Sequence, residues 1–166
     1  SVLSQLSEIW PASTPPFEAW VVSPFFDESG GALDSPTKAL WTILRRRGDA
    51  EVVFCVSTEE IPGEERLLLH APESLLRSQP PGRPSVRTSF HRVLDKDTRL
   101  LHTKVIWLEG ERHVLYLIGS SNFTTAGLNL SSMGQVEANS AYVSDYEQHE
   151  REARQMERWL TETERA

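Results

Sequence analysis

The sequence predicts an α/β fold of the mixed α+β kind, in which one mixed β-sheet is flanked by helices. Apolar strand-like segments at 18–23 and 51–57 enclose a helix-like segment. Two further strand segments, 101–108 and 113–118, follow each other closely enough to form a hairpin. The 166 residues are 39% hydrophobic and 25% charged, which is the composition of a soluble globular domain with a real core.

The first elements follow from proline positions. We expect residues 1–17 to form an entry segment, in which any first helix ends near Ile9 because three prolines follow, namely Pro11, Pro15 and Pro16. The segment 18–23 has the apolar, β-branched composition of a strand, and Pro24 ends it.

A helix is predicted to begin at Ser35-Pro36, because a hydroxyl at the cap followed by proline at the first helical position is a typical helix start. Gly48 is a suitable stop. The next strand is predicted over 51–57. The order strand, helix, strand is a βαβ unit, so we expect the two strands to be parallel.

Residues 58–85 contain seven proline or glycine residues among them, which exclude long regular elements. A short strand is predicted over 86–93. The strands 101–108 and 113–118 are joined by the segment Glu-Gly-Glu-Arg and are expected to pair as an antiparallel hairpin.

Beyond the hairpin, a short helix is predicted from 122 to 127 and a strand over 137–143. The remaining chain is helical by composition, with apolar residues roughly on one stripe. The predicted organisation is therefore an entry segment at 1–17, one α/β domain at 18–144 and a C-terminal helix at 145–166.

Composition excludes several classes of protein. The net charge is −7, which excludes a wholly basic protein that coats nucleic acid, although residues 66–104 alone carry a net charge of +5 and could attract a polyanion. No apolar run reaches the roughly 20 residues of a membrane helix, so no membrane span is predicted. The single cysteine, Cys55, excludes an internal disulfide, and a cytoplasmic location is the expectation.

The chemically informative residues lie in and after the hairpin. His102 and Lys104 are two residues apart in a predicted strand, so both side chains point to one face. The returning strand delivers Gly119, Ser120 and Asn122 to the same end of the sheet. The pattern alone therefore predicts that these residues lie near one another.

This group of residues suits phosphate chemistry. An imidazole is a candidate nucleophile or general base, while ammonium, amide and hydroxyl groups donate hydrogen bonds to phosphate oxygens. The start of the predicted helix at 122–127 would add free backbone N–H groups. Glu137, on the following strand, could orient His102 through its second ring nitrogen. No metal ligand set is visible, so chemistry without a metal or another cofactor is predicted.

The motif resembles that of the phospholipase D superfamily, H-x-K-x4-D-x6-G-S-x-N. His102, Lys104, Gly119, Ser120 and Asn122 match it, and the likeness extends over about 18–143. Glu109 stands in place of the motif aspartate, and nine residues instead of six separate it from the glycine. Because some members lack this acid, and Glu109 falls at the hairpin tip, a structural role is expected for it.

The resemblance implies a phospholipase D-like fold of one repeat and a phosphohistidine mechanism. His102 would be nucleophile or general acid, Lys104 and Asn122 would bind the nonbridging phosphate oxygens with support from Ser120, and Glu137 would orient His102. Active sites of this superfamily contain two motifs, and this chain has one. The chain is therefore expected either to form a homodimer or to be one half of a longer protein. The second expectation is favoured because the sequence does not begin with methionine.

Three functions remain open at this stage. The first is a metal-independent phosphodiesterase that acts on nucleic acid, as a nuclease or DNA-processing domain. The second is a phospholipid hydrolase or phosphatidyl transferase, for which no basic amphipathic helix is visible. The third is a non-catalytic phospholipase D-like domain, which the intact His102, Lys104 and Asn122 disfavour. A phosphodiester, most plausibly in nucleic acid, is the expected substrate.

Overall fold

The structure is a computed structural model that describes residues 1–11, 14–27, 35–44, 49–63, 65–78, 86–93, 103–130, 136–145, 147–148 and 163–165. Within these ranges the helices are α1 (Val2–Ile9), α2 (Pro36–Leu44) and α3 (Glu73–Leu76). The strands are β1 (Glu18–Val22), β2 (Ala50–Val56), β3 (Thr58–Glu60), β4 (Leu67–Leu69), β5 (Val86–Val93), β6 (Val105–Glu109), β7 (His113–Gly119), β8 (Asn139–Asp145) and β9 (Thr163–Arg165). The fold is thus of the mixed α+β kind.

Seven of these strands form one mixed sheet in the order β8-β7-β6-β1-β2-β5-β9. β1, β2 and β5 are mutually parallel neighbours, and every other pairing is antiparallel. The strands β3 and β4 form a separate small hairpin. The carboxyl ends of β1, β2, β5 and β7 therefore share one end of the sheet with the amino ends of β6 and β8.

The core lies between one sheet face and the helices α1 and α2. Alternate strand residues face the helices, as the period of a strand requires, and Leu3, Leu6 and Leu40 of the helices join them in one buried cluster. The cluster's strand members include Val21, Phe54, Ile106, Leu108, Leu115 and Leu117. The amino-terminal helix is thus packed on the domain, where its Ser1 side chain accepts a hydrogen bond from the Ser4 N–H as a cap.

The opposite sheet face carries a row of aromatic rings. Trp20, Trp107, Tyr116 and Tyr142 occupy paired positions on β1, β6, β7 and β8, and adjacent rings lie 5.0–6.1 Å apart between centroids. Ring contacts of this kind between paired strands stabilise the sheet.

Several predictions about the elements are confirmed. α2 begins at Pro36, and the Ser35 side chain accepts a hydrogen bond from the Lys38 N–H at 3.3 Å. The two strands that enclose it pair in parallel. The strand at Val86–Val93 has the predicted bounds, and the β6–β7 hairpin is closed by a hydrogen bond from the Gly110 N–H to the His113 carbonyl at 2.9 Å.

Other predictions need correction. The first hairpin strand begins at Val105, so Lys104 precedes it, and the predicted strand at 137–143 is instead Asn139–Asp145, which leaves Glu137 before the strand. A helix was expected over 145–166. Residues 149–162 of that range lie outside the described residues, and only its ends need correction: β8 extends to Asp145, and Thr163–Arg165 form a strand that pairs with β5. The open edge of β5 explains this outcome, because its unpaired backbone groups can accept another strand.

Candidate phosphate site at one end of the sheet

The β6–β7 hairpin brings the two halves of the motif together. Val105 pairs with Ile118, and the Gly119 N–H donates a hydrogen bond to the Lys104 carbonyl at 3.3 Å, which extends the ladder by one step beyond β6. Ser120 follows Gly119 directly. The register therefore places Lys104 beside the Gly119-Ser120 segment, as the sequence pattern predicted.

Ser120 is held by the residues that precede β8. Its N–H donates to the Ala138 carbonyl at 3.0 Å, and its hydroxyl accepts from the Ala138 N–H at 2.9 Å. The Ser120 hydroxyl in turn donates to a carboxylate oxygen of Glu137. Glu137 is thus at the predicted site, but the partner that the structure gives it is Ser120. Glu137 and Asn139 also line an open cavity of about 290 Å³ beside α1.

Gly119 allows β7 and β8 to approach closely at this point. A Cβ atom placed on it would lie 2.7 Å from the Cα of Asn139 and would overlap that residue's side-chain oxygen and the Ala138 carbonyl. Next along the chain, the Ser121 N–H donates to Asn139 Oδ1 at 3.3 Å, and Asn139 Nδ2 donates to the Ser121 hydroxyl at 2.7 Å. Close packing against Asn139 and Ala138 therefore explains why this motif position is a glycine. The side chain of Asn139 also holds the backbone segment that leads to Asn122.

Asn122 is half-buried. Its Oδ1 is buried and has no hydrogen-bond partner within the described ranges. Gly127 packs closely on its backbone, since a Cβ on Gly127 would lie 2.6 Å from the Asn122 carbonyl oxygen. A buried amide oxygen without a partner marks this side chain as a candidate to bind a ligand.

The segment after Asn122 is a series of turns and not the predicted helix. The Thr124 N–H donates to the Asn122 carbonyl at 2.8 Å, and the Gly127 N–H donates to the Thr124 hydroxyl at 3.0 Å. The N–H of Phe123 donates to the Ser23 hydroxyl at 3.0 Å. These N–H groups are therefore satisfied by the protein, and the expected helix-start anion site is corrected: the donors here are side chains.

Two residues that the sequence interpretation missed fix this segment to β1. Ser23, only 5% exposed, accepts the Phe123 N–H, and Asp27 accepts the Thr125 N–H through a carboxylate oxygen. Both contacts join positions about 100 residues apart, so no local pattern could reveal them. A serine at the last position of the predicted strand 18–23 was the only available signal.

Glu109 lies at the far end of the sheet from this site. The five residues of β6 separate it from Lys104 by roughly 16 Å of strand. It pairs with Glu18, which pairs with Glu51 in turn. Burial, followed by the neighbouring Glu18 carboxylate, raises the pKa of Glu109, while a hydrogen bond from the Trp107 side chain lowers it. This position is far from the residues of the candidate site.

His102 lies outside the described residues, so the structure bears on the site only through Lys104, Ser120, Asn122 and Glu137. Among the residues that are described, no group of three or more histidine, cysteine or acidic side chains is arranged to hold a metal ion. Nor does any helix in those ranges have the length and apolar character needed to cross a membrane.

Comparison with known proteins adds no assignment. No family model matches the chain, and no curated protein matches it either.

Proposed function

We propose that this chain is a metal-independent phosphodiesterase of the phospholipase D superfamily that acts on nucleic acid, with the fold of one repeat of that superfamily. His102 is the nucleophile or general acid. Lys104 and Asn122 bind the nonbridging phosphate oxygens, and Ser120 supports them. Glu137 positions Ser120 and, through it, the phosphate.

The observation that carries the proposal is the register of the β6–β7 hairpin. It puts Lys104 next to Gly119 and Ser120 and holds Asn122 at the same end of the sheet. Two residues of chain span at most about 7 Å, so His102 and Lys104 are close enough in sequence to act on one phosphate. In open α/β sheets, ligands bind outside the carboxyl ends of the parallel strands, and this is that end.

The reaction has two steps. In the first, an imidazole nitrogen of one His102 forms a bond to phosphorus, the bond to the leaving oxygen breaks, and a second histidine protonates that oxygen. In the second, this other histidine removes a proton from water, the water oxygen bonds to phosphorus, and the imidazole leaves. The products are a phosphomonoester and an alcohol. Lys104, Asn122 and Ser120 stabilise the charge on the nonbridging oxygens in both steps.

The second histidine comes from a second motif. The chain contains one, so a second copy, or another half carried by a longer protein, completes the site. A C2 dimer with the sheet ends facing each other is the symmetric solution for the chain alone.

The test is hydrolysis of an end-labelled DNA single strand in excess EDTA, by the chain and by a tandem of two copies joined by a Gly/Ser linker. The linker raises the effective concentration of the second motif to about the millimolar range. We expect turnover that persists in EDTA and falls by a factor of at least about 10³ in His102→Ala. The matched control is His113→Ala, since His113 begins β7 at the opposite end of the hairpin.

Equal loss in His102→Ala and His113→Ala would indicate general damage and contradict the assigned role. Retained turnover in His102→Ala would also contradict it. Turnover by neither the chain nor the tandem would overturn a site made from two copies of this chain.

A further inference from the structure

Phe25 is an exposed aromatic residue near the candidate site, with 64% of its surface accessible. It follows β1, in the loop that leads from the carboxyl end of that strand. Exposure of a whole phenyl ring forgoes the gain of burial, on the order of 25 cal/mol for each Å² of apolar surface.

The backbone that carries this ring is held in place. The Ser23 hydroxyl donates to the Phe25 carbonyl at 2.7 Å, and Ser23 itself is buried. The next residue, Phe26, packs its ring against Phe54 and Phe123 at centroid distances of 6.0 and 6.1 Å. Phe25 is therefore a ring on a fixed support that points away from the core, and not part of a loose apolar loop.

The register of a small β-bridge relates this ring to the candidate site. Phe26 and Phe123 form a parallel bridge, so Phe25 is opposite Asn122. Paired backbones lie about 5 Å apart. Phe26 and Phe123 both pack on the core, whereas Phe25 is exposed and Asn122 is half-buried. The exposed side chain of Phe25 and the Asn122 amide thus lie on chain segments that are neighbours at this bridge.

We infer that Phe25 is a stacking platform for an unpaired nucleobase next to the phosphate held by Asn122 and Lys104, which makes single-stranded nucleic acid the substrate class. The inference rests on the proposed function. Every base has a flat face, so stacking on one phenyl ring tolerates any sequence but requires a base that is not enclosed in a duplex.

Charge favours this reading over attraction to the phosphate backbone alone. The chain carries a net charge of −7, so long-range electrostatics oppose a polyanion, and short-range contacts have to supply the affinity. The same charge disfavours an anionic lipid surface. A single exposed ring next to the proposed phosphate-binding amide is enough to stack one base, whereas a membrane contact needs a larger apolar surface.

The experiment measures binding by fluorescence anisotropy in the His102→Ala background, so that no strand is cleaved. The probes are a 12-residue DNA single strand, the same strand with abasic sites, the blunt duplex, and phosphatidylcholine vesicles. Phe25→Ala is compared with Phe25→Trp, which keeps an aromatic face. Leu68→Ala is the matched control, because Leu68 is also an exposed apolar side chain, at 49%, on the separate β3–β4 hairpin.

We expect Phe25→Ala to weaken binding of the intact strand about tenfold and to leave binding of the abasic strand unchanged. Phe25→Trp and Leu68→Ala should bind both as the background protein does. The loss should be similar at low and high salt, since stacking releases no counterions.

Equal affinity of Phe25→Ala and the background for the intact strand would overturn the inference, and so would equal weakening on intact and abasic strands. Loss of vesicle binding without loss of strand binding would assign the ring to a lipid surface instead. Turnover by the tandem reports separately on the proposed function: strand binding that depends on Phe25, without turnover by the chain or the tandem, would overturn a phosphodiesterase site made from two copies and leave the stacking site standing.

Discussion

Gly119 shows most clearly how a single residue shapes the candidate site. The motif pattern predicted that glycine and serine follow the second hairpin strand, and the structure adds the physical reason for the glycine. Its Cα faces the backbone of β8 at a distance that leaves no room for a side chain. Backbone atoms cannot rotate away, so any substitution has to separate two paired strands.

Gly119→Ala is therefore expected to lower the free energy of unfolding by about 2–3 kcal/mol, as overpacking does, and to abolish turnover. Urea unfolding measures the first effect. The control is Gly63→Ala, because Gly63 has a positive φ of 83° but no atom within 4 Å of the added Cβ, so only backbone strain of about 1 kcal/mol is expected. A loss for Gly119→Ala no larger than for Gly63→Ala would contradict the close packing.

Single residues also mark the limit of what the sequence could predict about the site. Lys104, Ser120 and Asn122 could be placed together because a short hairpin fixes its own register. The hydrogen bond between Ser120 and Glu137 depends on where β8 begins, which is two residues later than expected. The contacts of Ser23 and Asp27 join distant parts of the chain and could not be predicted.

At the scale of elements, the strands were easier to predict than the segments between them. The strands β1 and β2 and the β6–β7 hairpin have strong apolar patterns, and the predicted positions of these strands and of β5 agree with the structure to within a few residues. The predicted helix at 122–127 failed because Ser23 and Asp27 satisfy its N–H groups with side chains, which offers the backbone an alternative to helical bonding. The strand Thr163–Arg165 depends on the free edge of β5, which a local sequence pattern cannot show.

Three acidic side chains meet where β1, β2 and β6 lie together at the far end of the sheet. Glu18 lies between Glu51 and Glu109 in the strand register. Burial and then the Glu51 carboxylate raise the pKa of Glu18, opposed by a hydrogen bond from the Trp20 side chain, and burial raises the pKa of Glu109. These two carboxyls therefore bind more protons in the folded chain than in the unfolded chain from about pH 4 up to their raised pKa values, and their contribution to stability falls over that interval.

The free energy of unfolding should fall as the pH rises through that interval and then level off. Glu109→Gln removes one of the ionising groups. Between pH 4 and pH 7, the free energy of unfolding of this variant is therefore expected to fall by roughly 0.5 kcal/mol less than that of wild type, a magnitude that suits a half-exposed carboxyl. Urea unfolding at both pH values measures this. Glu8→Gln on the exposed surface of α1 controls for removal of one charge. A steeper fall in Glu109→Gln than in wild type would contradict the assignment.

At the scale of the whole molecule, the sheet separates two kinds of surface. The end formed by the carboxyl ends of the parallel strands holds Lys104, Ser120 and Asn122, while the other end holds the acidic group with Glu109. The departure of Glu109 from the family motif therefore does not touch the candidate site. Because the net charge of the protein is negative, its overall electrostatic field does not attract nucleic acid, and binding has to depend on contacts at this end of the sheet.

His102 is proposed to carry the phosphoryl group, and capture of that intermediate tests its role. The tandem of two copies is mixed with a DNA strand ³²P-labelled at internal phosphates, quenched in alkali within the first turnovers, and digested to peptides. We predict label on the peptide that contains His102, stable in alkali and released by acid, with none in His102→Ala and an unchanged amount in His113→Ala. Steady turnover with no labelled peptide, or label that persists in His102→Ala, would contradict the claim.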